Sequence, residues 1–85
     1  MPKVTVYTAG HCCYCHMAKQ LLLQKGADFE EIDVGGRSDI RETLHERTGG
    51  RSTVPQIWIG DKHVGGCDDL LALDRAGKLD ALLAS

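Results

Sequence analysis

The chain has 85 residues, 42% of them hydrophobic and 26% charged, with a net charge of −2. That suffices for one small domain spanning 1–85 and is too short for two. The weak negative charge gives no electrostatic basis for binding nucleic acid or an anionic membrane, and the longest leucine run, residues 21–23, falls far below the roughly 20 apolar residues of a membrane span.

Residues 3–8 (KVTVYT) are β-branched and aromatic, with Val4 and Val6 on one face, and predict a buried strand. From Tyr14 the period changes. Tyr14, Met17, Ala18, Leu21 and Leu22 form the apolar stripe of an amphipathic helix, which Gly26 stops. Residues 29–34 predict a second strand. Residues 38–48 predict a short helix, capped by Ser38 or Asp39 and closed by Gly49-Gly50. After Pro55, residues 56–60 and then His63-Val64 predict a hairpin across Gly60-Asp61-Lys62. A helix over 68–76 ends at Gly77, and a last amphipathic turn carries Leu79, Leu82 and Leu83.

The order is β-α-β-α-β-β-α plus a short C-terminal helix. A strand–helix–strand start implies a right-handed crossover and a parallel pair, and the hairpin adds antiparallel strands. The fold class is therefore α/β, with one mixed four-stranded sheet flanked by helices. Reactive groups in such sheets sit just past the carboxyl end of a strand, where the next helix begins. The stretch HCCYCH, residues 11–16, lies there.

The chain runs from Met1-Pro2-Lys3 directly into a strand pattern, without the pattern of a signal peptide. A reducing, cytoplasmic setting is expected, in which clustered cysteines serve catalysis or metal binding rather than staples. Cys12 and Cys15 are three apart, hence about 60° around a helix and one turn along it, close enough for a disulfide. If the helix begins near Cys12, that sulfur meets the free N–H groups and the positive dipole end of the first turn, which favour a thiolate. Cys15, beside the apolar stripe, is more shielded. Cys12 is then the attacking thiol and Cys15 the resolving one.

Other readings compete. A structural staple closing so short a loop would remove little chain entropy. A zinc site could use His11, Cys12, Cys15 and His16, completed by Cys67 or His63, but the second CxxC pair of a structural zinc site is missing. Cys13 reads as a small, soft residue within the motif. The redox dithiol leads.

Three blocks carry a family resemblance: YT…CxYCxxAKxLL at 7–22, TVPQI at 53–57, and GGCDDL at 65–70 followed by ALDRAGKLDALL. The chain resembles a glutaredoxin, closely the short bacterial glutaredoxin-3 type, over nearly its whole length. The resemblance implies a thioredoxin-like fold and glutathione-dependent reduction of protein disulfides and glutathione mixed disulfides. Glutathione is then the co-substrate, and disulfide-containing or glutathionylated proteins are the partners of a cytoplasmic monomer. No nucleic acid or membrane partner is implied.

By the same resemblance the peptide before Pro55 is cis, and the backbone of Thr53, Val54 and Pro55 pairs with the cysteine of glutathione. The amides of Cys67 and Asp68 meet the γ-glutamyl carboxylate, with Gly66 in the same glutathione site, the Asp68 carboxylate faces the α-amino group, and Tyr14 lines the groove. Read without the resemblance, Pro55 is a strand-entry proline, Asp68 and Asp69 cap a helix, and Tyr14 belongs to the apolar stripe. Cys67 is a bystander to the chemistry.

Two departures from the family pattern stand out. Cys13 replaces the proline of Cys-Pro-Tyr-Cys, and members without that proline more often hold a [2Fe–2S] cluster between two protomers. One catalytic cysteine per chain (here Cys12) and glutathione thiols then ligate it; otherwise no metal is expected. Ala9 stands where many members carry lysine. His11 is a partial substitute or a solvent-exposed spectator, Arg41 or Arg37 is a weak choice for the glycine carboxylate, and His16 and His45 are expected to face solvent.

Overall fold

In the computed structural model, which describes residues 2–10, 12–51 and 53–84, β1 (Val4–Thr8) is followed by α1 (Cys13–Gln24), β2 (Phe29–Asp33) and α2 (Ser38–Arg47). Then come β3 (Gln56–Ile59), β4 (Lys62–Gly65), α3 (Cys67–Arg75) and α4 (Leu79–Ala84). The sheet order is β2-β1-β3-β4, with β1 parallel to β2 and antiparallel to β3, and β3 antiparallel to β4. This is the mixed four-stranded, thioredoxin-like sheet expected from the element order and the resemblance.

Alternation along the strands divides the interior in two. Val4, Val6, Ile57 and Ile59 meet Ala18 and Leu22 of α1, Leu70 of α3, and Leu79 and Leu83 of α4 on one face. Tyr7 and Trp58 turn to the other face, against Val34 and Leu44. Each large aliphatic side chain buried this way contributes about 1.5–3 kcal/mol. Packing α1 and α3 on the same face brings the starts of both helices to one end of the sheet.

Several expectations are corrected. Tyr14 and Met17 do not join the buried stripe: they are 59% and 47% exposed, and α1 buries Cys15, Ala18 and Leu22. The stripe is rotated because the buried Cys15 fills an apolar position, where the sequence pattern places it only beside the stripe. Neither Ser38 nor Asp39 caps α2. Arg37 is the N-cap residue, without a side-chain cap bond, and Asp39 sits in the first turn 3.4 Å from the Arg37 guanidinium. The second strand stops at Asp33, and Val34 turns into the core with its N–H on the Thr8 carbonyl at 2.7 Å. The helix expected from Asp68 begins at Cys67.

That start is held by Asp69, whose carboxylate accepts the Gly66 N–H at 3.0 Å. Gly65 makes room for it. Its φ is +117°, and a Cβ there would run into the Asp69 carboxylate, so only glycine fits both the backbone and the space. Among the described residues, no helix is long and apolar enough to cross a membrane.

Candidate active site

Cys12 is the N-cap residue of α1, in an extended conformation (φ −105°, ψ 108°). Its Sγ accepts the Cys15 N–H at 3.2 Å, and its carbonyl accepts the His16 N–H at 3.1 Å. The sulfur thus stands over the first turn, where amide hydrogens lack helical partners and the dipole is positive. On its other side the Cys12 thiol is directed at the Val54 carbonyl oxygen, 3.8 Å away. All four cysteines are free thiols; Cys12 is half-buried, Cys13 exposed, and Cys15 and Cys67 buried.

Burial separates the thiols chemically. Desolvation, followed by the hydrogen bond with Cys12, pushes the Cys15 thiol up to about 11. Cys67 is also raised, first by burial and then by the charge of Asp68. The expected asymmetry of the pair holds in shape: one sulfur accessible at the helix start, the other enclosed.

A groove of about 270 Å³ has in its wall Val54, whose carbonyl the Cys12 sulfur approaches, while Cys12 itself lines a separate cavity. All seven residues singled out for glutathione line the groove: Tyr14 from α1, Thr53, Val54 and Pro55 from the loop before β3, and Gly66, Cys67 and Asp68 from the start of α3. The Val54–Pro55 peptide is cis. The first helical bond of α3 runs from the Leu70 N–H to the Gly66 carbonyl at 3.1 Å. The Cys67 and Asp68 amides therefore have no helical acceptor, and such amides suit a carboxylate.

The sequence reading missed two lining residues, Arg51 and Asp69. The Arg51 Nη2 stands 3.7 Å from Asp69 Oδ2. The available signal was a cation just ahead of the TVP block. Arg37 is engaged with Asp39, and neither it nor Arg41 lines the groove. His11 lies outside the described residues, and His16 and His45 are exposed.

Behind the pair, a second cavity of about 670 Å³ is lined by Cys12, Cys13, Cys15, Lys19 and Glu31 among others. Glu31 accepts the Thr8 hydroxyl at 2.8 Å and the Lys19 ammonium at 3.1 Å. These bonds, Thr8 first, hold its carboxyl below the usual range. Among the described residues, no three His, Cys, Asp or Glu side chains are grouped to hold a metal ion.

Comparison with known proteins agrees with this geometry. The family model described as Glutaredoxin matches residues 4–64. A glutaredoxin of Pseudomonas aeruginosa is 60% identical over 85 residues, the full length of both chains. Glutaredoxin 3 of Escherichia coli is 52% identical over 83 residues, 98% of this chain and 99% of that one. The crystal structure of a buckwheat glutaredoxin–glutathione complex superposes with a TM-score of 0.88 at 35% identity, covering 95% of this chain and 76% of that one.

Proposed function

This chain belongs to the glutaredoxin family of thiol–disulfide oxidoreductases, and on that premise we propose that it reduces glutathione mixed disulfides and protein disulfides with glutathione as reductant. The observation that carries the reading is the adjacency of the Cys12 sulfur, at a helix start, to Val54 in the wall of a groove that also presents the Cys67 and Asp68 amides, which have no helical acceptor. An extended tripeptide can lie along Val54 while its carboxylate meets the α3 amides, and Asp68 offers a counter-charge to its ammonium. Similarity to the buckwheat protein solved with glutathione supports the same ligand.

In this mechanism the Cys12 thiolate attacks the glutathione sulfur of a mixed disulfide. A Cys12–glutathione disulfide forms and the protein thiolate leaves. A second glutathione thiolate then attacks the glutathione sulfur, releasing oxidised glutathione and restoring Cys12. With a protein disulfide, Cys12 first forms a mixed disulfide with one substrate sulfur. Cys15 then loses its proton and attacks Cys12, closing the Cys12–Cys15 disulfide as the substrate leaves with both electrons. Two glutathiones return them.

The protein acts as one domain over 1–85, as a monomer in the reducing cytoplasm, where its thiols stay available. The test is a glutathione-coupled assay with a glutathionylated peptide. Wild type should turn over and Cys12→Ser should be inactive; activity retained without Cys12 would refute the assignment.

A second reading is favoured by one observation, the exposed Cys13 in the place of the motif proline. In it, a [2Fe–2S] cluster is held between two copies by Cys12 of each and two glutathione thiols. The donor set fits only in that form, since the described residues of one chain group no metal-holding set. Anaerobic reconstitution with glutathione should then yield a brown dimer, and a colourless monomer would reject it.

A further inference from the structure

Gln56, at the start of β3, is fully buried, and an unpaired amide there would be costly. Both ends of its side chain are engaged. The amide nitrogen donates to Thr53 Oγ1 at 3.2 Å, and the carbonyl oxygen faces His63 Nε2 at 2.8 Å. An amide oxygen only accepts, so with the amide in this orientation His63 donates and carries the imidazole proton on Nε2. The ring is held flat on Trp58, with centroids 4.5 Å apart and planes 26° apart. Thr53 Oγ1, already accepting from Gln56, keeps its own proton for an acceptor elsewhere, and Thr53 is exposed on the groove wall.

We propose that His63 and Gln56 are positioning residues that aim the Thr53 hydroxyl proton into the groove, where it donates to a carbonyl or carboxylate oxygen of the bound peptide. This rests on the glutathione reading of the groove. The opposite relay is the competing state. A proton on Nδ1 would make Nε2 an acceptor, turn the Gln56 amide over, and draw the Thr53 proton inward to the amide oxygen. The imidazolium form, with N–H on both nitrogens, permits only the outward state. Burial, then the charges of Arg51 and Arg47, oppose that cation, while Asp69 favours it. At neutral pH the ring is therefore neutral, and its tautomer sets the direction of the relay.

Two measurements test this. Long-range ¹H–¹⁵N NMR of the reduced wild-type chain should find the His63 proton on Nε2; a proton on Nδ1 overturns the relay, with no ligand involved. Kinetics with a glutathionylated peptide supply the second. Thr53→Val removes the hydroxyl, and Gln56→Glu replaces the amide with a carboxylate that only accepts. Each should raise KM about three- to tenfold, the worth of one hydrogen bond.

The double variant should be no worse than Thr53→Val alone, because Gln56 acts only through that hydroxyl. Thr53→Ser should restore KM. If Gln56→Glu fails to fold, His63→Phe, which keeps a ring on Trp58 without the donor, is tested in its place by the same criterion. Additive losses, or losses confined to kcat, overturn the relay while leaving the glutathione reading intact. A wild-type chain inert toward the mixed disulfide overturns both.

Discussion

The Cys12 sulfur and the Val54 carbonyl oxygen stand 3.8 Å apart although 42 residues separate them in the chain. The Cys12 sulfur reaches this carbonyl from the start of α1, while Val54 belongs to the loop entering β3. Anything laid against the Val54 carbonyl therefore lies beside the Cys12 sulfur. The chemistry of each cysteine follows from which side of this contact it occupies.

Cys15 is enclosed, only 2% exposed. Cys15→Ser should keep the reduction of glutathione mixed disulfides and lose that of an intramolecular protein disulfide. Parallel assays on a glutathionylated peptide and a disulfide-bonded protein check it. Equal loss on both substrates would remove the division of roles.

With its thiol pushed up to about 11, Cys15 at pH 7 is thiolate in about one molecule in ten thousand. Limiting iodoacetamide at pH 7 should therefore leave Cys15 unmodified while Cys12 and Cys13 react, as peptide mass mapping can show. The shift also sets a stability slope. Between the ordinary value of 9.0 and about 11 the folded chain keeps a proton that the unfolded chain has lost, so stability falls as pH rises through that window. Urea midpoints of the reduced protein should drop from about pH 8 to about pH 10.5, and less in Cys15→Ala. Cys67, raised as well, keeps its own share.

Arg51 is the cation that lines the groove, half-exposed beside Asp69. Arg51→Ala should raise KM for the mixed disulfide about three- to tenfold, most at low ionic strength, because a charge on the rim is partly screened. KM measured across a salt series checks this; a salt-independent change would exclude a charge contact.

Cys13→Pro should be tolerated. Cys12 already has the extended backbone (φ −105°, ψ 108°) that a residue before proline adopts, and position 13 opens the helix, where no N–H is needed. Stability should rise by about 0.4–1 kcal/mol through the stiffer unfolded chain, read as a higher urea midpoint. A lower midpoint would mean that the Cys13 N–H has a partner.

Much of this was legible in the chain. Element order followed from local periodicity and from Gly26, Pro55 and Gly77, because each acts within a few residues of itself. The stripe position of Tyr14 and Met17 fails because a helix stripe is rotated by one position when a cysteine fills an apolar slot. Asp69 was grouped with Asp68 as a cap, but only Asp69 reaches back to the Gly66 N–H. Arg51 precedes the TVP block, but only the fold shows that it, rather than Arg37 or Arg41, faces the groove.

The linear order alone determined the α/β class, the dithiol at the start of the first helix and the blocks that mark the family, because spacing and residue type act through neighbouring atoms. Only the three-dimensional packing decided that Arg51 meets Asp69, that Gln56 joins His63 to Thr53, and that Cys15 is enclosed while Cys12 is open. Those contacts depend on how two helices and a loop converge at one end of the sheet, a distance that sequence separation does not encode.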